Sequence, residues 1–320
     1  MAEPEQWRTW RVAMAEALYG DDGFYRRADA PAAHFRTAAH TSPAWADAIR
    51  TLADRVAATV PGGEFAVVEI GAGGGELLEA LASRAPSSWR LVGVDVCPRP
   101  ARVPERVEWL GRPPETFDGL LLAVEWLDVV PVDVVERTED GLRLVEVSTD
   151  GRERTGVTVD TRSAQWLQKW WQVAEVGDRA EVGDGRDIAW ADAVRRLRRG
   201  VAVAVDYAVD PLRDVAGTLT GFRAGRQVVP VPDGSCDITA HVLMEACAAA
   251  ADVDATRLLS QREALHALGL RAQRPAYAGD ARSYLAALQQ TGEAAELLNR
   301  DGLGGFTWLL QAKGVPLPME

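Results

Sequence analysis

The 320-residue chain has a formal net charge of −12 and is 47% hydrophobic, enough for one large α/β domain or a core domain with a smaller substrate-binding part. No apolar run approaches the roughly 20 residues of a membrane span, and the acidic balance disfavours a surface built for phosphate backbones, which excludes membrane and nucleic acid as expected partners. The N-terminus lacks the apolar stretch of a secretory signal, and Cys97, Cys236 and Cys247 form no CxxC pair, so a reducing, cytoplasmic setting is expected.

Residues 6 to 19 place Trp7, Trp10, Met14 and Leu18 at a spacing that predicts an amphipathic helix ending at Gly20. Residues 21 to 43 show no periodicity. Trp45, Ile49, Leu52 and Val56 predict a second helix over residues 44 to 60, stopped by Pro61-Gly-Gly63. From Phe65 the text alternates strand, turn and helix: FAVVEI, a Gly-rich turn, LLEALASRA, WRLVGVD. Short apolar runs of this kind indicate a parallel sheet buried on both faces. RVEWL (106–110), GLLLAVE (119–125), VAVAVDY (201–207) and FTWLLQA (306–312) continue it, giving a Rossmann-like, doubly wound α/β fold.

The 75 residues between GLLLAVE and VAVAVDY exceed a simple crossover. Within them, residues 132–147 predict a hairpin turning at Glu139-Asp-Gly141 and added to the sheet. Residues 163–174 carry Trp166, Leu167, Trp170, Trp171 and Val173 as a helix that either packs or faces substrate. The expected organisation is an N-terminal helical cover (1–60) able to close over the cleft, the cofactor half of the core (61–131), an inserted hairpin and helical region (132–199), and the remainder of the core with substrate-side loops (200–320).

Ligands of such folds sit outside the carboxyl ends of the strands. There stands Glu69-Ile-Gly-Ala-Gly-Gly-Gly75, whose Gly71, Gly73 and Gly75 allow close backbone approach. A dinucleotide GxGxxG loop would need glycine at position 76, which is Glu76, an acid poorly suited to face a pyrophosphate. Asp95, 20 residues beyond Gly75, follows the second strand, where an acid either accepts both ribose hydroxyls or serves as a turn or cap. Glu125 and Asp128 follow the fourth strand. As a pair they would hold a cationic acceptor such as a guanidinium by bidentate hydrogen bonds, with Asp128 as a helix cap the alternative. Asp206 and Tyr207 end the fifth strand as substrate-binding or turn residues, and His241 is either substrate-facing or structural. His34, His40 and His266 show no metal-ligand spacing, so no metal site is expected.

The acid-x-Gly-x-Gly-x-Gly turn resembles that of class I methyltransferases, and more of the chain resembles one family, the MidA-type methyltransferases. DDGFYRR is similar to the family's Gly-Tyr-Tyr segment, HFRTAAHTSP to its Asp-Phe-x-Thr stretch, and AVEWLDVVPV to its Asn-Glu-Phe-x-Asp-Ala-x-Pro-Val strand. GVAVAVDYAVD, GTLTGFRAGRQVV and DITAHV follow in the family's order. The departures are His34 for Asp, Val124 for Asn, Ala72-Gly73-Gly74 for Pro-Gly-Arg, and Ala208 for Gly. The resemblance implies S-adenosyl-L-methionine as cofactor, bound by Glu69, Gly71, Gly73, Gly75 and Asp95. It further implies catalytic residues Glu125 and Asp128, and a protein arginine acceptor, which in mitochondrial members lies on a complex I subunit. A small-molecule or peptide acceptor, or a non-catalytic assembly protein, are the alternatives, and an oligomer is compatible with each.

Overall fold

The computed structural model describes residues 6–26, 43–276 and 280–319. The chain folds as two compact units that interleave in sequence. One draws on Arg36–Trp126, Ala193–Tyr207 and Asp252–Glu320, the other on Met1–Phe35, Leu127–Asp192 and Ala208–Ala251.

The first unit is built on a seven-stranded sheet among the described residues. Its strands are β1 (Phe65–Ile70), β2 (Arg90–Val94), β3 (Val107–Leu110), β4 (Phe117–Val124), β5 (Leu197–Asp206), β6 (Ala255–Ser260) and β7 (Thr307–Lys313). They lie in the order β6-β7-β5-β4-β1-β2-β3. The first five strands run parallel, whereas β7 is antiparallel to both β5 and β6. Every residue of β1 and β4 is buried, as continuous apolar runs require when both faces of a sheet are covered.

On this sheet the helix Pro43–Ala57 lays Trp45, Ile49, Leu52 and Val56, one stripe at helical spacing. Trp45 meets Trp308 of β7 edge to face, with ring centroids 5.5 Å apart. The chain runs from β1 through β2 to β3 on one side, then returns to β4 on the other side of β1. The strand order therefore reverses between β1 and β4, and a ligand crevice is expected at their carboxyl ends. Ile70 is in register with Ala123 there, which places Gly71 and Glu125 at that edge.

The hairpin is present as Asp133–Thr138 and Gly141–Val147, with Thr138 opposite Gly141. It does not extend the central sheet, as the sequence suggested. In the second unit it joins Arg8–Thr9, Glu153–Thr158 and Arg179–Val182 in a sheet of its own. The reason lies in its two apolar faces. Val134, Val145 and Val147 pack on Trp10, Met14 and Leu18, while Val135 and its neighbour Val182 pack on Trp166, Leu167 and Trp171.

Residues 8 and 9, expected in the first helix, are strand; the helix is Trp10–Tyr19. The tryptophan-rich helix is Thr161–Trp170, capped by Asp160, and its aromatic face packs: Trp166 is buried and donates from Nε1 to Asp187 Oδ2 at 2.7 Å. Thr220–Arg223, Arg226–Val228 and Asp237–Thr239 form a small third sheet in this unit. No helix among the described residues is long and apolar enough to cross a membrane. HFRTAAHTSP lies outside the described residues except for Pro43, and with it His34, His40 and most of the stretch read as a closing cover.

Candidate active site

The glycine loop is stapled to β2 at its first turn. Gly71 and Ala72 N–H both donate to Val94 O, at 2.9 and 3.3 Å, and Gly75 N–H donates to Ala72 O at 2.8 Å. Gly71, Gly73 and Gly75 have φ of 70°, 53° and 75°, the left-handed region that glycine enters without steric cost. Their missing side chains serve different ends. A Cβ on Gly71 would lie 3.0 Å from Cδ1 of Trp126, and one on Gly75 would lie 2.4 Å from Cγ2 of Val103. A Cβ on Gly73 would meet nothing nearer than 3.9 Å. Two glycines thus make room for the protein's own side chains, and Gly73 alone turns its bare face to open space.

Two acids flank the loop. Glu69, in β1, is 4% exposed, and its Oε2 has no hydrogen-bond partner among the described residues. Burial, reinforced by the charges of Glu76 and Asp95, raises its pKa well above the usual range. Asp95, directly after β2, is fixed by both carboxylate oxygens. Oδ2 accepts from Gly73 N–H and Oδ1 from Cys97 N–H, each at 2.8 Å. It is therefore a turn residue and a loop anchor, partly exposed.

At the end of β4, Glu125 adopts φ 50°, an uncommon conformation for a residue with a side chain. Its N–H donates to Val205 O of β5 at 2.8 Å, which holds the residue at the sheet edge while the backbone turns away. Asp206 ends β5 and is 1% exposed; Tyr207 follows it, 40% exposed, its ring 4.0 Å from that of Phe306. Glu69, the glycine loop, Asp95, Glu125, Asp206 and Tyr207 all belong to the central-sheet unit.

Asp128 and His241 belong to the other unit, so the two acids read as a pair are divided between the units. Asp128 is 6% exposed in a cluster that sequence reasoning did not assemble. Tyr25 O–H donates to Asp237 Oδ2 at 2.8 Å. Burial, with the charge of Asp128 adding to it, pushes Asp237 up to about 7. Burial likewise raises Asp128 to about 6, against the opposing charge of Arg186.

The buried Arg186 guanidinium donates to the carbonyls of Asp128 (2.7 Å), His241 (2.7 Å) and Val130 (3.2 Å). His241 N–H donates to Thr218 Oγ1 at 2.9 Å, and burial lowers the pKa of its ring. Tyr25 and Asp237 stand inside the DDGFYRR and DITAHV stretches, which was the available signal. Arg186 carried none, being one arginine among many.

The model of a family described as putative S-adenosyl-L-methionine-dependent methyltransferase matches residues 46–260, from the first helix of the core to the end of β6. The chain belongs to this family. It is an S-adenosyl-L-methionine-dependent methyltransferase. Among solved structures, a protein from Burkholderia thailandensis described as a "likely methyl transferase" and bound to S-adenosyl-homocysteine is 26% identical. That alignment covers 97% of this chain and 89% of the other, with a TM-score of 0.82. A second, uncharacterized protein from the same organism is also 26% identical, covering 97% and 88%, with a TM-score of 0.79. Among curated proteins none matches significantly.

The residues of this methyltransferase fit its cofactor. The buried Glu69 oxygen without a partner is complementary to a cationic donor, as the amino-acid end of the cofactor provides. The open face of Gly73 leaves room that a side chain would fill.

Proposed function

We propose that this methyltransferase acts in the cytoplasm on a protein side chain, with a guanidinium as the acceptor. In this reading Glu69, Gly71, Gly73, Gly75 and Asp95 hold the cofactor, Glu125 and Asp128 serve the acceptor, and Asp206, Tyr207 and His241 contribute to its binding. When bound, the cofactor supplies a methyl carbon on a sulfonium, which leaves as a neutral thioether.

The observation that carries the proposal is Glu125: a carboxylate at the reversal of strand order, beside the glycine loop, on a backbone held in the left-handed region. Strained residues of this kind cluster at functional sites. A carboxylate there accepts guanidinium N–H bonds and turns a nitrogen toward the methyl carbon, so positioning supplies most of the rate. Asp206, buried at the end of the adjacent strand, adds negative charge at the same edge. Arginine in particular rests on the resemblance to the MidA-type family.

A small-molecule or peptide acceptor is the second reading, favoured by Val124 and Ala208 standing where that family has Asn and Gly. Incubation of the enzyme with methyl-labelled cofactor and host lysate separates the two. A labelled protein whose label maps to arginine supports the proposal; label only in small molecules overturns it in favour of the second reading.

A further inference from the structure

We infer that Trp126 is a cofactor-sensing residue whose indole recognises the positive charge of the sulfonium. The inference rests on the glycine loop being the cofactor loop and is independent of the identity of the acceptor.

Three features of the central-sheet unit place the ring. The left-handed conformation of Glu125, φ 50°, takes the chain out of β4, while the bond from Glu125 N–H to Val205 O keeps that turn fixed to β5. The next residue then lies against Gly71. Cδ1, Cβ and Cγ of Trp126 fall 3.0, 3.3 and 3.4 Å from the point where a Cβ of residue 71 would stand. Gly71 itself is held by Val94 O. A large aromatic is thus set against the first glycine of the loop, on a support hydrogen-bonded to strands on both sides.

The fit is specific, because alanine at position 71 would press into the ring. Yet Trp126 is only half-buried, so packing against Gly71 does not use up its surface. The electron-rich face of an indole attracts a cation within about 6 Å of its centroid. Among the chemical groups the cofactor brings to this loop, the sulfonium is a cation that the product lacks. An aromatic here favours the charged substrate form over the neutral product and so assists product release.

The test compares affinities, not turnover. S-adenosylmethionine and S-adenosylhomocysteine are titrated by calorimetry into the full-length protein, the Trp126→Phe and Trp126→Leu variants, and a variant carrying pentafluorophenylalanine at position 126. Trp126→Leu should lose about 3- to 30-fold in affinity for S-adenosylmethionine, the range a cation over an aromatic face provides, with less than about a twofold change for S-adenosylhomocysteine. Pentafluorophenylalanine keeps the shape of phenylalanine and reverses the charge on the ring face, so it should lose affinity relative to Trp126→Phe for the sulfonium alone. That pair decides the matter even if Trp126→Leu does not fold. Equal losses for both ligands, or none, would assign Trp126 to packing and overturn the inference. Failure of the unaltered protein to bind either ligand would instead overturn the reading of the loop, and the inference with it.

Discussion

Asp95 and Gly73 are joined by a 2.8 Å hydrogen bond from the backbone N–H of the loop glycine to Oδ2 of the carboxylate. The second oxygen of Asp95 takes the N–H of Cys97, so one side chain fixes both the loop and the turn after β2. Removing it disturbs both. Asp95→Ala should weaken S-adenosylhomocysteine binding by about 1 to 3 kcal/mol, the range for losing hydrogen bonds to a charged group. Asp95→Asn should be nearly as poor, because an amide offers one acceptor where two N–H groups point and sets its own NH2 against the other. Calorimetry reads both, and an Asn variant of native affinity would mean that the anchor does not matter. NAD should bind none of these proteins.

The glycines of the loop make a second test, because their vacancies differ. Both Gly73→Ala and Gly75→Ala incur the cost of a side chain at positive φ, about 1 to 2 kcal/mol. Only the second also drives a methyl group against Val103, at 2.4 Å. Gly75→Ala should therefore be at least about 1 kcal/mol less stable than Gly73→Ala in denaturant unfolding. Gly73→Ala should keep most of its stability and lose at least about tenfold in cofactor affinity. If the two variants were equally stable, the packing role of Gly75 would be refuted.

Much of the central unit was legible because its signals are local. Continuous apolar runs such as FAVVEI and VAVAVDY can only be buried strands between covered faces, and the glycines between β1 and the following helix Glu76–Ala82 announce the ligand loop. β6 escaped because ATRLLS is half polar and only partly buried at the edge of the sheet. The destination of the hairpin was equally hidden. Its sequence shows a turn and two apolar faces, but the helices that cover those faces, Trp10–Tyr19 and Thr161–Trp170, lie on either side of it in the chain, and nothing local says that they meet it.

Site residues divide in the same way. Asp95 and Glu125 are marked by position at strand ends. The company of Asp128 is not, since Tyr25 and Asp237 lie more than 100 residues away from it on either side in sequence, apart from the nearer Asp237, which is 109 away only on the C-terminal side.

The Asp128 and Asp237 cluster makes stability depend on pH. Asp237 has its pKa raised from an ordinary carboxylate value near 3.8 to about 7 by burial and by Asp128, and Asp128 is raised to about 6. Between about pH 4 and 7 the folded protein therefore holds more protons than the unfolded chain, so its stability falls as pH rises through that window. Asp237→Asn keeps an acceptor for the Tyr25 hydroxyl and removes the charge. At pH 8 the variant should gain on the order of 2 kcal/mol over the native sequence, and the difference should fade toward pH 4. Urea unfolding across that range measures it. A variant equally destabilised at both ends would show that the carboxylate is ionised and needed in the folded state.

Glu125→Gln is the decisive substitution for the proposed chemistry. Glutamine matches glutamate in size and bears the same strain at φ 50°, so the backbone turn onto Val205 and the placement of Trp126 should persist. What changes is charge. If the Glu125 carboxylate orients a cationic acceptor in the transition state, turnover should fall by about 10² or more, comparable to the loss of one preorganised electrostatic contact. S-adenosylmethionine affinity should stay within about threefold, because Glu69 and Asp95 are untouched. A parallel loss of cofactor affinity would make Glu125 a cofactor ligand and pass the acceptor role to Asp128, Asp206 and Tyr207. Turnover close to the native rate on the acceptor found in the lysate experiment would remove Glu125 from the mechanism altogether.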